Sequence, residues 1–147
     1  MFEEKLAFEG PDGELLLEPT VEQIRDLLLL GSDYWAASSA GIGYVQLRDR
    51  GYSNNCERPF LYIIQDDQYG VHLNYQIMDY KPFGKNVNLM TKGDWGDDET
   101  VTVSLGGEDV DFPASSFVPL DLACQIIADF LLDQKLPDRV TWVKAPI

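Results

Sequence analysis

The chain has 147 residues, 45% of them hydrophobic, and carries 25 acidic against 11 basic side chains for a formal net charge of −14. A chain of this length buries roughly two-thirds of the surface its unfolded form exposes, so one packed domain over residues 1–147 is expected rather than a disordered acidic tail. The charge argues against nucleic acid and anionic membranes as direct partners, and favours encounter with a basic protein surface.

The amino terminus, MFEEKLAFEG, places acidic residues where a secretory signal has a basic region followed by an apolar stretch. The apolar runs LLL (15–17) and LLLL (27–30) fall far short of the ~20 residues a membrane span needs. A cytoplasmic protein is predicted. Thr20 to Gln23, TVEQ, has capping-box spacing, with a hydroxyl for an early helix amide and a glutamine to reach back. Val21, Ile24, Leu27 and Leu28 then recur at helical spacing until Gly31 ends the segment.

The middle of the chain reads as strands. IGYVQLRD (42–49), FLYIIQ (60–65), GVHLNYQIM (70–78), KNVNLM (85–90) and TVTVSL (100–105) are rich in β-branched and aromatic residues and bounded by turn formers. Val71, Leu73, Tyr75 and Ile77 alternate with His72, Asn74 and Gln76, predicting one buried face and one polar or partly covered face. Asp66 to Tyr69 connects two runs as a hairpin, and an antiparallel meander follows. Pro119 suits a first helical turn, and Leu120, Ala123, Ile126, Ile127, Phe130 and Leu131 form an apolar stripe that must pack on the sheet. Pro137 stops that helix, and RVTWV (139–143) returns as a strand. The fold class predicted is α+β, a single domain with a mainly antiparallel sheet and two main helices packed against it.

No residue pattern specifies catalysis. Cys56 and Cys124 lack CxxC spacing and a histidine cluster, so neither a zinc site nor a redox pair nor a disulfide is expected. The pairs Asp66/Asp67 and Asp97/Asp98 do not match a calcium loop and read as solvated charge. The glycines of AGIGYVQL and SLGGEDV lack a phosphate-binding pattern and read as turn residues. No cofactor or metal is expected. His72 is the sole histidine, with no nucleophile motif beside it.

The charge is distributed unevenly. From Gly93 through Gln134 ten carboxylates occur and no lysine or arginine. Seven lie in the tract from Asp94 to Asp111: Asp94, Asp97, Asp98, Glu99, Glu108, Asp109 and Asp111. The two clusters flank TVTVSL, an arrangement expected to gather them at one edge or end of the sheet. Trp95 stands among the first cluster; it either folds back on the core or, if exposed, is an aromatic anchor ringed by acids.

The order Phe117, Pro119, Ala123, Phe130, Pro137, Val140 and Trp142, within FVP and ADFLLDQKLPDRVTW, resembles the carboxy-terminal signature of the Imm1 family of bacterial immunity proteins. Pro119 stands where a small polar cap is expected. The resemblance implies a cytoplasmic antidote that binds and blocks a cognate toxin, in a family whose members protect against nucleases and nucleic-acid deaminases among others. The signature residues themselves read as core and turn residues, with Phe130 and Trp142 meeting across the helix–sheet interface. Two function classes remain: a non-enzymatic inhibitor whose anionic tract with Trp95 fills the basic active-site cleft of a toxin, or a small ligand-binding domain or enzyme using the polar face around His72, Asn74 and Tyr75.

Overall fold

The structure, a computed structural model, describes residues 4–48, 58–78 and 86–146. Within them lies an antiparallel sheet whose centre is the expected meander. Strands β3 (Gly43–Arg48), β4 (Phe60–Asp66), β5 (Gly70–Ile77) and β6 (Val87–Lys92) lie side by side in chain order. The last strand, β10 (Thr141–Lys144), adds to β6, and an amino-terminal hairpin of β1 (Lys5–Glu9) and β2 (Leu15–Leu17) adds to β3. That hairpin has no counterpart in the sequence reading, because five and three residues are too few for alternation to stand out, and β1 buries the consecutive Ala7 and Phe8.

Helix α1 (Val21–Leu28) starts on the predicted capping box. The Gln23 N–H donates to Thr20 Oγ1 at 3.2 Å, and the Thr20 N–H donates to Gln23 Oε1 at 2.9 Å. Helix α1 ends at Leu28, and Gly31, at positive φ (87°), breaks the helical run and opens a second short helix that the sequence did not suggest, α2 (Gly31–Ala37). The sequence GSDYWAA carries no helical stripe, and α2 is held by tertiary contacts: Trp35 is buried with its indole N–H donating to the Leu27 carbonyl at 2.8 Å, the Ser32 hydroxyl accepts the Asp67 N–H at 2.8 Å, and the Tyr34 hydroxyl donates to Glu14 at 2.6 Å. Helix α3 (Leu120–Asp133) buries Ala123, Ile126, Ile127 and Phe130 against the same sheet face as Ile24 and Leu28 of α1. Pro119 caps it without a side-chain hydrogen bond. Pro137 is not the terminator. Gln134 adopts the left-handed conformation (φ 57°), and its own N–H and side-chain amide donate to the Phe130 carbonyl. Among the described residues no helix is long and apolar enough to cross a membrane.

TVTVSL does not continue the meander. It forms β7 (Thr100–Leu105), which pairs only with the unpredicted β8 (Glu108–Pro113) in a separate two-stranded sheet. The reversal between them is the two-residue loop Gly106–Gly107, both at positive φ (62° and 89°), the conformation a right-twisted hairpin demands and only glycine adopts freely. Val101 and Val103 pack with Ile64 and Phe117 into a second core on the sheet face opposite the helices. The molecule is thus layered as helices, sheet and hairpin.

A short insertion ties the layers. Strand β6 pairs with β5 as far as Asn74 and Met90, and beyond that point β9 (Phe117–Val118) takes its place beside Val71 and His72. Thr91 stands at the fork, donating to the Ser116 carbonyl at 2.8 Å and accepting from the Leu73 N–H at 3.3 Å. Gly93 follows, where a Cβ would lie 2.0 Å from the Phe117 carbonyl oxygen. No larger residue fits there without moving β9.

Candidate functional site

The acidic loop begins where β6 leaves the sheet. Its ends are pinned to the 3-10 turn Ala114–Ser116: the Gly93 N–H donates to the Ser115 carbonyl at 2.6 Å, and the Ala114 N–H donates to the Glu99 carbonyl at 2.9 Å. Between these pins Asp94, Trp95, Asp97, Asp98 and Glu99 are all exposed. Trp95 is 40% exposed and held by one edge. Its indole N–H donates to the Tyr69 carbonyl at 3.1 Å, and its ring meets the Tyr69 ring edge-on at 4.7 Å. The Tyr69 hydroxyl donates to Glu99 at 3.3 Å; burial, with the Glu99 carboxylate beside it, raises its pKa. A Ser115 hydrogen bond and the Lys92 ammonium, 3.4 Å away, hold the Asp97 carboxyl below the usual range.

The second cluster sits elsewhere. Asp109 and Asp111 point outward from β8, opposite Ser104 and Thr102, and the Thr102 hydroxyl donates to Asp111 at 2.6 Å. Glu108 is at the hairpin tip, whereas Glu99 precedes its open end. Five residues of strand separate those ends, about 17 Å at the rise of an extended chain. Along the hairpin Glu108 and Asp109 therefore stand apart from the loop acids, whereas Asp111, opposite Thr102, lies two residues from the open end. Further along the chain, Asp121 and Asp129 form ion pairs with Arg25 and Arg139.

Side chains with no expected role complete the surroundings of Trp95. A groove of about 400 Å³ runs between Trp95, the β4–β5 turn (Asp66 to Tyr69), the α1–α2 junction (Leu28, Leu29, Gly31) and the start of α3 (Pro119, Leu120). Asp66 accepts the Gln68 and Tyr69 N–H groups of its own turn, both at 2.9 Å. Asp67 accepts the Ser32 N–H at 3.0 Å and the Gln65 amide at 2.8 Å, which depress its pKa. Leu29 and Leu30 stand at the junction, 59% and 52% exposed. Their exposure has a sequence signal in LLLL (27–30): at ~100° per residue, four consecutive helical side chains cannot share one face.

The polar face around His72 is covered. The β7–β8 hairpin lies over it, leaving His72 3% exposed between Phe112 and Phe117. The Ser116 hydroxyl spends its proton on the Pro113 carbonyl at 2.7 Å, so the Nδ1 of His72, 2.8 Å from that hydroxyl, is the donor. Burial lowers the His72 pKa to about 4, leaving the ring neutral at pH 7. A cleft of about 340 Å³ remains where His72, Asn74, Gln76 and Asn88 meet the hairpin. Among the described residues no three potential metal ligands converge. Cys124 is a buried free thiol, and Cys56 lies outside the described residues.

The signature residues divide as core and turn. Phe117, Ala123 and Phe130 are fully buried. Pro137 is buried, and its carbonyl accepts the Trp142 indole N–H at 2.6 Å. Trp142 is only half-buried, and Tyr75 stands between it and Phe130, edge-on to both. A family model described as Immunity protein Imm1 matches residues 16–144. No curated protein matches the chain.

Proposed function

Since the chain belongs to the Imm1 family of immunity proteins, and so has a toxin as its partner, we propose that it is a stoichiometric, non-enzymatic inhibitor of a toxin that acts on nucleic acid, a nuclease or a deaminase. The observation that carries this reading is the stretch between Lys92 and Lys135, which has ten carboxylates and no cation, with its acidic loop exposed around Trp95. A cleft that grips a phosphate backbone is lined by lysine and arginine, and carboxylates presented in place of phosphates block it and speed the encounter. The acids Asp94, Asp97, Asp98, Glu99, Glu108, Asp109 and Asp111 and the ring of Trp95 are the proposed toxin-facing set. The complex forms in the cytoplasm of the protected cell. Burial of His72 beneath the hairpin leaves its ring little access to substrate.

The test is co-expression with the product of the neighbouring gene, as the candidate toxin. Wild-type chain should copurify with the toxin at a fixed molar ratio, and protection should rise with that ratio and saturate when it is met. His72→Gln should protect as well as wild type when folded. Protection by a small fraction of one equivalent would mean turnover and would overturn the reading.

A further inference from the structure

We propose that the groove between Trp95 and the α1–α2 junction receives an apolar side chain of the toxin with lysine or arginine beside it, and that this is the contact controlling dissociation. The inference rests on the inhibitor reading above and deepens it, because it separates the two acidic groups by role.

Two large apolar side chains stand open in the groove of about 400 Å³: Leu29 and Trp95 are 59% and 40% exposed, and Leu120 also lines it. Trp95 is already oriented by its bond to the Tyr69 carbonyl and by the Tyr69 ring, so little side-chain freedom remains to be lost on binding. Asp66 and Asp67 of the β4–β5 turn line the groove, and on the loop Trp95 is preceded by Asp94 and followed within four residues by Asp98 and Glu99, all exposed. Asp66 and Asp67 are occupied by turn and helix amides, whereas Asp94 and Asp98 make no hydrogen bond or ion pair among the described residues. These two are the carboxylates left for a partner's cations.

Charge also selects the occupant. A second copy of this chain on a two-fold axis would set the same acidic rim against itself, which like-charge repulsion opposes. A toxin with a basic cleft supplies the complementary sign. The Asp109 and Asp111 pair stands on the outer face of β8, opposite Ser104 and Thr102 and so about 14 and 7 Å of strand from the open end where the loop joins; it lies outside this contact and acts only on the approach.

The test uses the 147-residue chain and the toxin with which it copurifies, inactivated by substitution, with binding followed by surface plasmon resonance. Trp95→Ala and Leu29→Ser should each raise the dissociation rate about tenfold or more, with melting temperatures near wild type. The charge reversal Asp94→Lys with Asp98→Lys should raise it as well, whereas Asp109→Asn with Asp111→Asn should lower the association rate alone. If wild type binds and neither Trp95→Ala nor Leu29→Ser changes dissociation, the groove assignment is wrong while the inhibitor reading stands. Failure of wild type to bind takes down both. Self-association of the chain that Leu29→Ser abolishes would give the groove to a second copy and overturn the proposal.

Discussion

His72 shows how one buried side chain links fold to pH. Its pKa lies near 6.5 in the unfolded chain and falls to about 4 beneath the hairpin. Between those values the unfolded state holds a proton that the folded state refuses, so this contribution to stability is complete above pH 6.5 and is lost as pH falls toward 4. The full effect is ~3 kcal/mol. Urea denaturation at pH 7 and pH 4.5 should therefore show a larger loss for wild type than for His72→Gln; equal losses would mean the histidine titrates normally in the fold. Phe130 and Trp142 differ in the same local terms. Phe130 is fully buried and Trp142 only half-buried, so Phe130→Ala should cost ~3 to 5 kcal/mol and Trp142→Ala distinctly less. Equal losses in thermal melts would contradict the observed packing.

At the level of elements, the fork between β6 and β9 is the most constrained joint. The chain turns out of the sheet at Gly93, which donates to Ser115 while its α-carbon passes the Phe117 carbonyl. An added methyl must displace β9, at a cost of ~1 to 3 kcal/mol for overpacking. Gly93→Ala should lower the melting temperature and, because the same residue launches the acidic loop, weaken toxin binding in parallel. A variant that melts like wild type would show that β9 shifts without cost. The tip of the hairpin carries a different demand. Gly106 and Gly107 both sit at positive φ, so replacing either by a β-branched residue strains the turn and loosens the cover over His72.

Across the whole molecule the governing quantity is the spacing of charge. Glu108 and Asp109, near the hairpin tip, stand on the order of 14 to 17 Å of strand from the loop acids, beyond the ~10 Å screening length at 0.1 M salt. Each group should therefore steer a basic toxin independently. Neutralising Asp97, Asp98 and Glu99 in one variant, and Glu108 and Asp109 in another, should lower the association rate by factors that multiply when combined. Both losses should shrink as salt is raised. An association rate insensitive to salt in wild type and variants alike would show that these carboxylates do not guide the encounter.

The elements that were legible in the sequence are those whose cause lies within a few residues. The Thr20 capping box, the stripe from Leu120 to Phe130, the strand runs that became β4 and β5 and the turn at Gly106–Gly107 each depend on local hydrogen bonding, composition or periodicity, and each stands in the fold where the sequence placed it. The acidity of the Asp94–Asp111 tract and the position of Trp95 within it were equally plain. Partner choice was not. Alternation in TVTVSL marks a strand without saying which strand it joins, so nothing local showed that it would leave the meander, pair with β8 and bury His72. Nor did it show that β9 would displace β6, that Trp35, Ser32 and Tyr34 would tie down a second helix, or that Leu29 and Trp95 would line one groove. Those outcomes rest on contacts between residues tens of positions apart, where burial of the facing surfaces and the fit between layers, rather than any nearby pattern, select the arrangement.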